Sequence, residues 1–178
     1  AKKSRDHTEN IFKYLGIPII IKKNKNNDEI KIRGEKLFKS FKYKVPSDPS
    51  SCAFFIVLTL LSKNCELKIK NVNVNKSRIG YIEILNKMGA KISIRNIKIK
   101  YGEKLADIFV RSQSTLKKIN CPPNLNSNLI DEFLILFLVA AKANGVSSFS
   151  NLGELNKKES PRLKLGSKLL NQLGIKTK

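Results

Sequence analysis

Three stretches of this chain repeat one another. A repeat limits the available folds more than any composition does, because each copy must be one supersecondary unit packed on its neighbours. SRDHTENIFKYLGIPI from Ser4, SRIGYIEILNKMGAKI from Ser77 and SPRLKLGSKLLNQLGIKT from Ser160 each carry a Ser ahead of apolar residues at helical spacing, with a Gly (Gly16, Gly89, Gly174) behind them. Ser at an N-cap satisfies an unpaired helix N–H, and Gly supplies the left-handed residue at which a helix ends. The pattern predicts three amphipathic helices, each running into a short apolar β-like stretch. In the third copy Pro161 is expected at the first helical position, where its missing N–H costs nothing.

A second element precedes two of those helices. SSCAFFIVLTLLSKNCELKIKNV matches LIDEFLILFLVAAKANGVSSFSNL, placing Asn64 on Asn144 and Asn71 on Asn151. Runs 53–61 and 133–141 are apolar on every side, which predicts helices buried all round. Strands are expected at 66–70 and 147–150 after them, and also at 17–22, 29–32, 91–95 and 107–111. Residues 23–28 read as a hairpin loop. Fold class is therefore α/β (α+β), built on a repeated unit of buried helix, strand, amphipathic helix and further strands. Residues 45–50, VPSDPS, carry two prolines where Lys-rich strands give way to a buried helix, and form the expected boundary.

Composition removes several function classes. No apolar run approaches the ~18 residues of a membrane helix, and AKKSRDHTEN has no secretory leader, so a soluble, cytoplasmic protein is expected. Cys52, Cys65 and Cys121 form no CxxC pair and His7 is the single histidine, which points to reduced thiols and no metal site. The net charge of +21 is mostly lysine, spread along the chain without interleaved aromatics. That reads as a solvated surface whose field draws small anions, not as a nucleic-acid face. Residue 1 is Ala, a helix-start signal stands at residue 4, and LGIKTK stops where a strand is due; a piece of a longer protein is expected.

Four further segments carry chemistry: SRDHTE (4–9), VPSDPSSCAFF (45–55), LIDEF (129–133) and KESPR (158–162), joined by NKSRIG (75–80). In order and spacing they resemble the 5-enolpyruvylshikimate-3-phosphate synthase family, in its bacterial form, over essentially the whole chain. The resemblance implies two domains, each an α/β prism of three βαβαββ units, with 1–45 ending one domain and 46–178 beginning the other. It also implies the shikimate-pathway reaction toward chorismate and aromatic amino acids: the enolpyruvyl group of phosphoenolpyruvate passes to the 5-hydroxyl of shikimate 3-phosphate through a tetrahedral intermediate, releasing phosphate. No metal or organic cofactor is implied, and the full-length protein is expected to be a monomer acting on small molecules.

Such chemistry needs a base for the hydroxyl, an acid for the methylene carbon and cations around two phosphates and a carboxylate. By resemblance Asp131 is the proton acceptor. At the start of an apolar helix, the dipole favours its charged form while partial burial raises its pKa toward that of a base. Glu159 stands near the reacting methylene and Lys158 on the shikimate ligand. Arg162 matches the phosphoenolpyruvate-binding Arg, able to grip an anion bidentately at a helix N-terminus. Ser4 matches the residue holding the phosphate of shikimate 3-phosphate, Arg5 assists electrostatically, and His7 stands where the other form has a substrate-contacting Tyr. Glu132 is expected to make structural contacts.

Two positions depart from the family pattern: Asn156 replaces a common Arg, and Pro161 replaces the Asp of KESDR, removing a carboxylate that would orient Arg162. A sister enolpyruvyl transferase acting on a UDP-N-acetyl sugar is the nearest alternative, lacking SRDHTE and KES in this form. A lysine-rich nucleic-acid-binding protein is the alternative of another class. This stretch by itself is expected to be inactive, because other anion-binding Lys and Arg residues of the family lie outside it.

Overall fold

The computed structural model describes residues 5–34, 37 and 40–178; Ser4, with the cap and ligand roles expected of it, lies outside them. The first repeat helix, α1 (His7–Tyr14), ends at Gly16 (φ 67°) and leads into an antiparallel hairpin of β1 (Ile19–Lys23) and β2 (Asp28–Ile32), Lys23 standing opposite Asp28.

Beyond VPSDPS (45–50), one complete βαβαββ unit follows. Ser47 makes a parallel bridge to Val72, and between them run α2 (Pro49–Leu61) and β3 (Glu66–Asn73). After these come α3 (Gly80–Lys87), β4 (Lys91–Lys100) and β5 (Glu103–Arg111), with β5 between β3 and β4 and antiparallel to both. The order then restarts. Lys117 bridges Asn144, and β6 (Asn120–Cys121) pairs in parallel with β7 (Ser148–Phe149) across α4 (Phe133–Lys142) before α5 (Arg162–Gln172). Parallel neighbours need a crossover, and in both units the apolar helix supplies it. Short 3-10 turns, Pro123–Asn128 and Gly153–Lys157, fill the connections.

The core lies where α2, α3 and α4 meet β5. Ile56, Leu60, Tyr81, Ile84, Leu85, Met88, Ile108, Phe133 and Leu136 are all fully buried, each contributing about 1.5–3 kcal/mol through burial. Cys52 and Cys121 are free and buried, and burial pushes the Cys52 thiol up to about 11, leaving it an inert core residue. Among the described residues no helix is long and apolar enough to cross a membrane.

Several sequence expectations need correction. Neither apolar helix is buried all round: α4 leaves Leu134 and Leu138 exposed, and on α2 Ala53, Ile56, Val57 and Leu60 face the core, while Phe54, Phe55 and Leu58 are 62%, 60% and 65% exposed. The neighbours of α2, α4 and the β3–β5 pair, cover only one side. Nor do Ser77 and Ser160 cap their helices, whose N-caps are Ile79 and Pro161. The Ser77 hydroxyl and N–H turn back onto Asn75 Oδ1, so the chain makes a turn before α3 begins. Pro161 stands just outside α5, not at its first position. With φ −73° and ψ 73° it centres an inverse γ-turn in which the Arg162 N–H donates to the Ser160 carbonyl at 2.8 Å. The third repeat's closing stretch, 175–178, is irregular.

The recurring Asn residues mark left-handed bends: φ is 52° at Asn64, 60° at Asn71 and 59° at Asn151, whereas beside Asn144 the residue that turns is Gly145. Asn71 forms a bulge in β3, and Asn96 (φ 55°) a matching one in β4. The Asp107 carboxylate on β5 ties both, accepting from the Asn71 N–H at 3.1 Å and the Asn96 amide at 3.0 Å.

Candidate active site

Three cations from two distant segments of the sequence converge on one carboxylate. Arg5, just before α1, hydrogen-bonds Asp131 Oδ2; Arg162, the first residue of α5, donates to Oδ1 at 3.2 Å; Lys158 Nζ stands 3.9 Å from the same oxygen. Asp131 belongs to the turn ahead of α4, whose N-cap is Glu132, rather than to the helix itself.

Local sequence places each group. Helix α5 lies against α4 through buried Leu170 and through Gly166, where an added Cβ would stand 2.7 Å from a Leu134 methyl. Close approach brings the start of α5 to the Asp131 turn. The γ-turn at Pro161 aims Arg162, and Asn156 Oδ1 accepts the Lys164 N–H at 3.2 Å, capping the first turn of α5 in place of Ser160. Both departures from the family pattern thus serve the same helix start. The carboxylate missing at 161 is offset by Glu159, whose Oε2 accepts from Arg162 Nη2 at 2.8 Å.

The expected rise in the Asp131 pKa toward that of a base is reversed in this state. Partial burial alone would raise it, but the Arg5 hydrogen bond and charge, with Lys158 and Arg162, outweigh burial and hold the carboxyl below its usual range. Glu159 is also held low, by its backbone N–H and by Arg162, so it is ionised here and acts as a guanidinium partner. Glu132 is the opposite case. It is buried, and desolvation pushes its pKa up despite the Ser50 hydroxyl that donates to it.

His7 is not drawn to Asp131. Its Nδ1 lies 2.7 Å from Glu103 Oε1, and because a carboxylate only accepts, Nδ1 carries the proton of that bond. A cavity of about 340 Å³ opens beside it, lined by His7, Tyr43, Asp48, Asn73, Arg78 and Glu103 among others; Asp131 is not part of that lining.

Sequence reasoning gave no role to Ser50, Arg78 or Glu103. The Ser50 hydroxyl accepts from Arg78 Nη2 at 2.8 Å while donating to Glu132, and the same nitrogen donates to Asp48 at 2.9 Å. This chain of bonds ties the start of α2 to the Asp131 turn. Arginine in a chain whose cations are mostly lysine was the available signal, because a guanidinium fixes several acceptors in one plane. Among the described residues no group of three or more His, Cys, Asp and Glu side chains is gathered as for a metal ion.

The arrangement is a polar site whose charges are paired with one another, and any anion bound by Arg5, Lys158 or Arg162 has to displace Asp131 from it. Comparison with known proteins identifies the family. The family model for EPSP synthase (3-phosphoshikimate 1-carboxyvinyltransferase) matches residues 1–178. The 3-phosphoshikimate 1-carboxyvinyltransferase of Thermodesulfovibrio yellowstonii is 42% identical over 177 residues, which is 99% of this chain and 40% of that protein. That of Ruthia magnifica is 40% identical over 97% of this chain and 39% of its own length. A solved structure of EPSP synthase from Acinetobacter baumannii superimposes with a TM-score of 0.86 at 35% identity, covering 96% of this chain and 37% of that one. The chain spans about two fifths of the length of the relatives it matches. With the match running from its first residue to its last, the chain belongs to the EPSP synthase family.

Proposed function

We propose that this chain forms part of an enzyme that transfers the enolpyruvyl group of phosphoenolpyruvate to the 5-hydroxyl of shikimate 3-phosphate, in the cytoplasm and as a monomer. Residues 1–45 would end one domain and 46–178 begin the next. The observation that carries the reading is the convergence of Arg5, Lys158 and Arg162 on Asp131. Two substrates that each bear a phosphate and a carboxylate supply the anions such a cluster calls for.

In this reading Ser4, Arg5 and Lys158 hold shikimate 3-phosphate and Arg162 holds phosphoenolpyruvate. Substrate anions draw the cations away from Asp131, and loss of their charge lets its pKa rise, so the base becomes competent only once both substrates are in place. Asp131 then takes the 5-hydroxyl proton as the oxygen attacks the enol carbon. The methylene carbon gains a proton from Glu159, which takes one up from solvent once phosphoenolpyruvate has drawn Arg162 away from its carboxylate, and the tetrahedral intermediate forms. Expulsion of phosphate and loss of a methyl proton restore the double bond.

The test is phosphate release from phosphoenolpyruvate by the full-length protein. Release that requires shikimate 3-phosphate is the expected result, with none from residues 1–178 alone. A full-length protein that is folded yet releases no phosphate with both substrates present would overturn the assignment.

A further inference from the structure

Helix α1 carries Arg5 to Asp131 yet has no buried residue, and its ring contacts from Tyr14 to Tyr101 and Phe41 lie at its far end, so apolar packing does not fix where its first turn sits. Polar contacts to the turn between β4 and β5 do. Glu103, 5% exposed at the first position of β5, accepts from His7 Nδ1 at 2.7 Å, Asn10 Nδ2 at 3.3 Å, Asn73 Nδ2 at 3.2 Å and Asn75 Nδ2 at 3.4 Å. Two donors come from α1 and two from β3 and the loop after it, so one carboxylate ties the helix to the sheet. Asn75 also donates to Asp6 Oδ1 at 2.6 Å, at the very start of α1.

A second observation is independent of these bonds. Gly102 has φ 78°, and a Cβ there would stand 2.5 Å from the Asn10 carbonyl oxygen, so the helix backbone rests directly on the turn. Any side chain at 102 would lift α1 away. The segment is held at both ends of its first two turns, with Arg5 projecting one residue beyond Asp6.

We infer that Glu103, with Gly102 beside it, is a positioning residue that holds α1 in the one placement where Arg5 reaches Asp131. It touches neither substrate nor reacting atoms, and acts through Arg5. This rests on the proposed function insofar as Asp131 is the base. Asp131 is faced by Arg5 from the α1 segment, by Lys158 and Arg162 from the α5 side and by its own neighbour Glu132, with Glu159 behind Arg162; only Arg5 is carried by α1. Moving α1 therefore changes one of the cations on Asp131 and leaves the others.

The experiment compares Arg5→Ala, Glu103→Ala and the double variant in the full-length protein, following kcat/KM for shikimate 3-phosphate against pH. Glu103→Ala is expected to lower kcat/KM roughly 10- to 100-fold, as misplacement of a binding group does. Because Arg5 holds the carboxyl low, its withdrawal lets the Asp131 pKa rise and shifts the acid limb to higher pH. The limb should move in the same direction in both single variants, with the double no worse than Arg5→Ala. A limb that moves in Arg5→Ala but stays in place in Glu103→Ala overturns the positioning role. A limb unmoved in both overturns Asp131 as the base, and the inference with it. Should Glu103→Ala not fold, Asn10→Ala removes one clamp donor from α1 alone and is judged by the same limb.

Discussion

Replacing Asp131 by Asn should slow the reaction and tighten the binding of its substrates, a combination that separates a base held in reserve by substrate-binding cations from a residue that binds substrate itself. In the free protein the carboxylate is paired with Arg5, with Arg162 at 3.2 Å and more distantly with Lys158 at 3.9 Å. The four side chains are between 26% and 39% exposed, so solvent screens the pairs. Each is then worth about 0.5 kcal/mol, well short of a buried pair. Releasing Arg5 and Lys158, the two assigned to shikimate 3-phosphate, gives roughly 1 kcal/mol that this substrate no longer has to displace, or about 5-fold tighter binding. Asn keeps one oxygen as an acceptor for Arg5 or Arg162, which makes this an upper figure. Turnover should fall about 100- to 10,000-fold, the usual contribution of a general base. Calorimetric titration of the full-length variant with shikimate 3-phosphate reads the first effect, and steady-state phosphate release the second. Weaker binding in a folded variant, or turnover within a few-fold of the parent, would refute the reasoning.

Arg162→Lys keeps the charge and loses the planar fork that spans Asp131 and Glu159, so the KM for phosphoenolpyruvate should rise while that for shikimate 3-phosphate moves little. Lys158→Ala should show the reverse preference, and equal effects on both substrates from either variant would remove the separate assignment of the two cations. Glu132→Gln addresses stability. Because burial raises the folded-state pKa of Glu132, the benefit of its neutral form is present below the unfolded pKa and is lost as pH rises through the folded value. Gln stays neutral and still accepts from Ser50, so the urea midpoint of the variant should gain on the parent as pH rises above about 4, the unfolded value, and a difference that stays constant with pH would contradict it.

Periodicity made most of the fold legible. The Gly residues closing the repeat helices all carry positive φ, the apolar runs became α2 and α4, and the charged stretch 23–28 became a hairpin turn. Helix starts were misread because a Ser at the right spacing reports only that a cap is available. Local bonds decide whether it is used: Asn75 captures Ser77, and Pro161 keeps the chain out of helical geometry until Arg162. The outward face of α2 was misread for a related reason. An apolar sequence says that water is unfavourable there, whereas the number of neighbours available to cover Phe54, Phe55 and Leu58 is a property of the assembled fold.

The candidate site was legible as a set of residues but not as an electrostatic arrangement, and the difference matters for mechanism. Motifs named Arg5, Asp131, Lys158, Glu159 and Arg162 separately, and each was reasoned about on its own element, so Asp131 was given the pKa of a half-buried helix-start carboxylate. Folding brings cations 126 and 31 residues away onto that carboxyl, and their charges reverse the sign of the shift. Long-range pairing of this kind has no local signature. Glu103 illustrates the point from the other side: within YGEKL it reads as an ordinary turn carboxylate, and only the meeting of α1, β3 and β5 surrounds it with four donors. A buried carboxylate is tolerated there because its acceptors are used, and using them fixes the helix that carries Arg5. That arginine is thus placed by one carboxylate and neutralised by another, so the geometry of the first governs the chemistry of the second.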